Sequence, residues 1–235
     1  MKKIALPKWL VCTAICVALV PVSNAAVVTV DPGTLTSGYM NVFNLPSAGG
    51  TYQFGSGWGV ADLTATFTGT TLTLGPNTIG DTSSYWYTPS GGPGAIGNKV
   101  MDANLYNETA GTYVGTTLTF TGVVLQNTLA GQAAQGNGVV WSTVAFIKDF
   151  AADYSSFTTV TAPLTPGTFS ISLPTSADPG HHIQYGFETI GSDVWITDVG
   201  NYGTVVITPI PEPSTVALLG LGGATALAFI RRRNG

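Results

Sequence analysis

Apolar residues alternate with Ser or Thr along this chain, and that two-residue period is what limits its fold. In Leu63-Thr64-Ala65-Thr66-Phe67, Thr117-Leu118-Thr119-Phe120-Thr121 and Phe169-Ser170-Ile171-Ser172-Leu173 every second side chain is apolar, the signature of a strand with one buried face. No stretch of ten or more residues between 26 and 207 carries the 3.6-residue period of an amphipathic helix. Further strands are expected at 27–30, 70–74, 99–106, 139–147, 183–190, 194–197 and 202–207, and one helical turn at 150–156, where Asp149 and Asp153 stand four apart. Gly, Pro, Asn and Asp separate the strands, as at Gly75-Pro76-Asn77 and Ser90-Gly91-Gly92-Pro93-Gly94. About ten short strands in one segment predict an all-β, antiparallel β-sandwich over 26–207, with a jelly roll as the leading topology and a barrel second. An outer-membrane barrel is disfavoured, because it needs strands of about 10 residues with an apolar outer face.

Both ends are apolar and flanked by basic residues on their outer side. Residues 1–25 read as a signal peptide: Lys2, Lys3 and Lys8, an apolar run over 9–20, Pro21, then Ser23-Asn24-Ala25 with small residues where signal peptidase inspects the chain, so cleavage is expected after Ala25. As a helix the run would span about 18 Å, short of a hydrocarbon core of about 30 Å. Cys12 and Cys16 leave with it, so the mature chain has no thiol, disulfide or thiolate metal site. Val11 and Ile15 precede the two cysteines where a lipoprotein signal needs a small residue.

At the other end, Pro209, Pro211 and Pro213 make 208–215 an extended spacer that neither sheet nor helix absorbs. An apolar stretch over 216–230, about 22 Å as a helix, reads as a single transmembrane helix crossing with help from its flanks. Arg231, Arg232 and Arg233, within the basic end 231–235, act as a cytoplasmic stop. Basic residues at both extremities put both ends inside and everything between outside.

Pro211-Glu212-Pro213, the Ser214-Thr215 that follow, the short Leu/Gly/Ala-rich helix and the arginine cluster resemble the PEP-CTERM sorting signal. The resemblance covers residues 209–235, with the signal peptide as its companion. It implies a substrate of exosortase, a membrane-embedded transpeptidase-like enzyme of Gram-negative bacteria often encoded with exopolysaccharide genes. It also implies export across the inner membrane, a precursor held by the C-terminal helix, and processing near Pro211, Glu212 and Pro213 toward the cell surface or exterior. The sandwich, tail and composition together resemble other such substrates, whose mature parts are galactose-binding-like or carbohydrate-binding-module-like.

Charge narrows the partners. Residues 26–210 hold two basic residues, Lys99 and Lys148, against eleven acidic ones, a formal charge of −9. Phosphates would be repelled, which excludes nucleic acid and adsorption to anionic lipid heads.

Candidate chemistry is sparse. His181-His182, after Asp178-Pro179-Gly180, is the sole histidine pair. Neighbours on a strand point opposite ways, so metal binding would need a loop to bring both round with Asp178, and the other reading is an exposed turn. No Gly-x-Ser-x-Gly elbow exists and no catalytic constellation is found. Tyr85-Trp86-Tyr87 is the densest aromatic cluster and the candidate sugar platform, with core packing as the competing use. Trp58, Trp141 and Trp195 are expected in the core. Calcium is the cation an acidic extracellular sandwich would take: Asp193 with Asp198-Val199-Gly200-Asn201 offers part of a shell, as do Asp31 or Asp81, and the competing reading is solvated turn carboxylates. No other cofactor is expected. Asn107-Glu108-Thr109 has the N-glycosylation form and reads as incidental. The function expected is a structural or adhesive surface or matrix protein in an exopolysaccharide or biofilm setting; the alternative is a carbohydrate-binding module recognising surface or matrix glycans.

Overall fold

The computed structural model describes residues 24–211. Residues 1–23 of the expected signal segment, the apolar stretch 216–230 expected to cross the membrane, Glu212, Pro213 and the arginines at 231–233 lie outside the described residues. Fourteen strands follow in order: β1 (Ala25–Thr29), β2 (Ser37–Asn44), β3 (Tyr52–Trp58), β4 (Ala65–Thr68), β5 (Thr71–Leu74), β6 (Tyr87–Thr88), β7 (Ile96–Gly97), β8 (Lys99–Ala110), β9 (Thr117–Asn127), β10 (Ser142–Phe150), β11 (Phe157–Pro163), β12 (Gly167–Pro174), β13 (His182–Ser192) and β14 (Val205–Thr208). Three short 3-10 turns, at Pro46–Ala48, Ala61–Leu63 and Ile196–Asn201, are the helical segments among the described residues. No helix there is long and apolar enough to cross a membrane.

Two six-stranded sheets, with a small β6-β7 ribbon beside them, give the all-β layout of a sandwich. In the first sheet β12 lies on one side of β9, while β1 and β14 share the other side, followed by β5 and β4. The second sheet runs β11-β10-β13-β8-β2-β3. Leu118 and Phe120 of β9, Phe169 and Ile171 of β12 and Leu72 of β5 face Met101, Leu105, Ile183, Tyr185 and Phe187 of the second sheet in one buried core. Phe120 ties the layers together, with ring centroids 5.3 Å from Phe169 and 5.2 Å from both Tyr185 and Phe187.

One strand pair departs from the antiparallel expectation. β1 pairs β9 in parallel, from Ala25 opposite Thr117 to Thr29 opposite Thr121. The chain between them crosses the second sheet as β2, β3 and β8, long enough for a parallel connection. β14 pairs the other half of β9 antiparallel and ends at Thr208 opposite Val123. Thr29 and Thr208 therefore stop near each other at the middle of β9. Pro209, lacking an N–H, ends the pairing and begins the spacer.

Several strand expectations need correction. Thr64 sits at φ 54°, with its hydroxyl donating to the Pro76 carbonyl at 2.7 Å, so the strand expected at 63–67 begins only at Ala65. Residues 194–197 make one bridge, Thr78 to Val194, and then enter a 3-10 turn. Residues 151–156 form the tight turn between β10 and β11, not a helical turn, with Tyr154 at φ 57°. β2, β3 and β11 were not expected from the two-residue period, and all three belong to the second sheet. Trp141 is buried as expected, while Trp58 and Trp195 are half-buried at the margin of the core.

Candidate functional site

The two sheets carry different outer faces. On the first, Thr and Ser line up, as in the 2.8 Å hydroxyl contact between Thr119 and Ser172. On the second, strand alternation turns Asp102, Asn104, Tyr106 and Glu108 of β8 outward, because Met101, Ala103 and Leu105 between them are buried. Gln184 and Glu188 of β13, Lys148 and Phe150 of β10, Tyr39 and Asn41 of β2 and Phe157, Thr159 and Thr161 of β11 join them around a groove of about 820 Å³.

Its floor is a connected polar network. Lys148 Nζ donates to Asn104 Oδ1 at 2.8 Å and to Glu188 Oε1 at 3.2 Å. Asn104 Nδ2 donates to Asp102 Oδ1 at 2.7 Å, and Asn41 Nδ2 donates to Asp102 Oδ2 at 3.1 Å. Gln184 Nε2 and the Tyr154 hydroxyl each donate to Glu108 at 2.5 Å. Burial above all, and then the Glu188 charge, push Asp102 up to about 6 against the pull of its amide donors and Lys148. Three carboxylates against one ammonium leave the groove acidic at neutral pH.

Aromatic rings rim this floor. Tyr39, Tyr154 and Phe157 are exposed, and Tyr106 and Phe150 are half-buried. Phe150 and Phe157 pair across β10 and β11 with centroids 4.9 Å apart, and Tyr154 stacks on His182 at 4.5 Å. Gly55 makes room for Tyr39: a Cβ there would sit 2.8 Å from the tyrosine ring and from Asn41 Oδ1.

The aromatic triplet expected as a platform is elsewhere and differently used. Tyr87 is fully buried, and its hydroxyl takes the Ile79 N–H at 3.1 Å and faces the Ile79 and Val194 carbonyls at 2.9 and 3.1 Å. Trp86 is buried edge-on between Phe54 and Tyr85. Only Tyr85 is exposed, with the Lys99 ammonium 4.0 Å from its ring centroid. The three rings do not share a surface, because Tyr85 and Trp86 lie in a turn and the chain becomes strand only at Tyr87.

His181 and His182 diverge. His181 Nδ1 lies 2.6 Å from Asp149 Oδ1, while His182 Nδ1 lies 3.4 Å from Glu108 Oε1 at the end of the groove. No serine hydroxyl bonds either ring among the described residues. Asp178 caps its own turn, accepting from the Gly180 N–H at 2.9 Å. Asn107 is half-buried, its Nδ2 donating to the Thr34 carbonyl at 2.9 Å.

Of the expected calcium carboxylates, Asp31 and Asp81 accept main-chain N–H groups within their own turns. Asp193 is 1% exposed, and burial pushes it up to about 7. Asp198 Oδ2 accepts from the Gly94 N–H at 2.7 Å. Among the described residues no three His, Cys, Asp or Glu side chains gather as a metal cluster. Ala25 opens β1 opposite Thr117, and Pro211 ends the described chain.

A family model for the PEP-CTERM protein-sorting motif matches residues 209–233. The match spans Pro211, Glu212, Pro213 and the three arginines. It supports the chain as a PEP-CTERM exosortase substrate: an exported protein, made as a membrane-anchored precursor, with exosortase as its processing partner. No curated protein and no solved structure matches the chain.

Proposed function

We propose that the exported domain is an adhesive surface or matrix protein that works by holding a neutral polysaccharide in the groove of the second sheet. The observation that carries this reading is the pairing of exposed aromatic rings with a fixed floor of Asn, Gln, Asp, Glu and Lys in a groove of about 820 Å³. Sugar rings present apolar C–H faces, which stack on aromatic rings, and hydroxyls, which both donate and accept. The groove offers both kinds of contact at a volume within the usual span of ligand sites, about 300–1,000 Å³. Likeness to galactose-binding or carbohydrate-binding-module sandwiches belongs to the same proposal.

Neutrality follows from charge. Lys148 already serves Glu188 and Asn104, so a uronate or sulfate would meet Asp102, Glu108 and Glu188 without a free cation. Binding is favoured over hydrolysis because both Asp102 oxygens already accept amide bonds and Glu188 is paired with Lys148. Two glycosidic carboxyls would need to face the scissile bond.

The sorting route completes the proposal: signal peptidase cuts after Ala25, residues 216–230 hold the precursor, and exosortase processes it near Pro211 to Pro213. The protein then meets exopolysaccharide outside the cell. Glycan-array and calorimetric titration of the exported protein, with and without calcium, test the binding reading, and a reducing-sugar assay tests hydrolysis. Absence of binding to any neutral glycan at millimolar concentration sinks the groove proposal and leaves the purely structural role.

A further inference from the structure

Away from the groove, the segment Gly94 to Gly97 folds against the 3-10 turn Ile196–Asn201 and the end of β13, enclosing a cavity of about 10 Å³. That is room for a single water-sized guest. Gly94, Gly97, Gln135, Ser192, Asp193 and Asp198 are among its walls. Asp193 is 1% exposed; its Oδ1 accepts the Lys99 N–H at 2.9 Å, while its Oδ2 is buried without a hydrogen-bond partner. An orphaned buried carboxylate oxygen carries a desolvation cost that a partner must offset. No lysine or histidine forms an ion pair with Asp193 or Asp198 among the described residues. The Lys99 ammonium lies over the Tyr85 ring instead.

We infer that this cavity binds one calcium ion, ligated by Asp193 Oδ2 and the Asp198 carboxylate, with oxygen atoms of the surrounding loops completing the shell. The side chains walling it include no thiol or imidazole, which selects a hard cation. Calcium suits it better than magnesium, because calcium accepts an all-protein oxygen cage of irregular geometry, whereas magnesium keeps its waters and demands a near-ideal octahedron. Gly97 keeps the wall close: a Cβ there would lie 2.1 Å from the Asp193 carbonyl oxygen and 2.4 Å from Asp193 Oδ1. The ion would clamp the 94–97 segment to the 196–201 turn, adding to the hydrogen bond from the Gly94 N–H to Asp198.

The test uses the exported protein, stripped with a chelator and titrated with calcium or magnesium by calorimetry and by thermal melting. One calcium ion per chain should bind and raise the melting temperature, and magnesium at equal concentration should not. Asp193→Asn, which keeps the shape, and Asp198→Asn should each weaken calcium by about tenfold or more, since the number of charged ligands sets affinity. Asp31→Asn and Asp81→Asn should leave it unchanged. The inference is overturned if the wild type takes up no calcium at millimolar concentration, if Asp193→Asn binds as tightly as wild type, or if the Asp31 or Asp81 variant is the one that loses binding. Circular dichroism of each variant without metal separates lost ligation from lost folding.

Discussion

Lys148 donates to Glu188 at 3.2 Å by reaching along the groove floor past its own cross-strand neighbour, Gln184. Both side chains are less than one-fifth exposed. The sole lysine of the floor is thus committed to an internal partner, and the groove is left acidic.

Lys148→Met should therefore destabilise the fold, because it strands Glu188 and the Asn104 carbonyl oxygen. A cost of about 1–3 kcal/mol is expected, below that of a fully buried pair because water still reaches both groups. Urea unfolding measures it. The double variant Lys148→Met with Glu188→Gln should recover part of the loss; strict additivity of the two changes would show that the pair is not coupled.

Aromatic truncation separates the rim from the core. Tyr39→Ala and Phe157→Ala remove rings that are 37% and 54% exposed, so the fold should hold while glycan affinity falls by roughly 1–2 kcal/mol each. Tyr85→Ala should leave affinity unaltered. Calorimetry against the glycan found by array decides, and equal losses from Tyr85 and Tyr39 would misplace the site.

Tyr87→Phe removes the hydroxyl that joins Ile79 to Val194. A loss of about 1–2 kcal/mol of stability with unchanged glycan binding is expected. Weakened binding at full stability would restore Tyr87 to the binding surface.

Asp102 supplies a pH dependence with a definite sign. Its value in the fold, about 6, lies above the ordinary 3.8, so folding favours the protonated form. Its contribution is complete below about pH 4 and is lost as the pH rises through about 6, a decline on the order of 2–3 kcal/mol. The urea midpoint of wild type should fall relative to that of Asp102→Asn across this interval. Parallel curves would mean that Asp102 titrates normally.

Tail processing is read by mass. Cells with exosortase should yield mature protein lacking residues 216–235, and Glu212→Ala should accumulate the precursor. Intact mass of the native protein distinguishes the two, and a wild-type mass that still includes 216–235 rules out this processing.

The sequence alone was a good guide where Ser or Thr alternates with apolar residues through a whole strand, and less so at 63–67, where Thr64 leaves the strand conformation. β9 and β12 show that pattern, and the sorting tail is equally legible because its motif, apolar stretch and arginines form a contiguous linear pattern. β2 is harder to see, since Tyr39, Asn41 and Phe43 face outward opposite Met40 and Val42, leaving little contrast between its two sides. The ends of β8 and β10, which bring Glu108, Lys148 and Phe150 to the groove, likewise fall outside the expected strands. The groove is thus legible in part: β8 and β13, which carry Asp102, Asn104, Gln184 and Glu188, were expected, while the outward aromatics of β2 blur the contrast that locates a strand.

What the chain's order determined is the fold class, the cysteine-free exported domain, its acidity and its sorted tail. The tertiary structure decided which aromatics are free and which carboxylates are buried. Tyr87 and Tyr39 are both tyrosines beside small or apolar neighbours, yet one spends its hydroxyl inside the core and the other rests over Gly55 at the groove. Asp102 and Asp193 acquire their shifted acidity from burial by strands distant in sequence. Burial and hydrogen-bond partners are properties of register between strands far apart in the chain, and a local two-residue period carries no information about them.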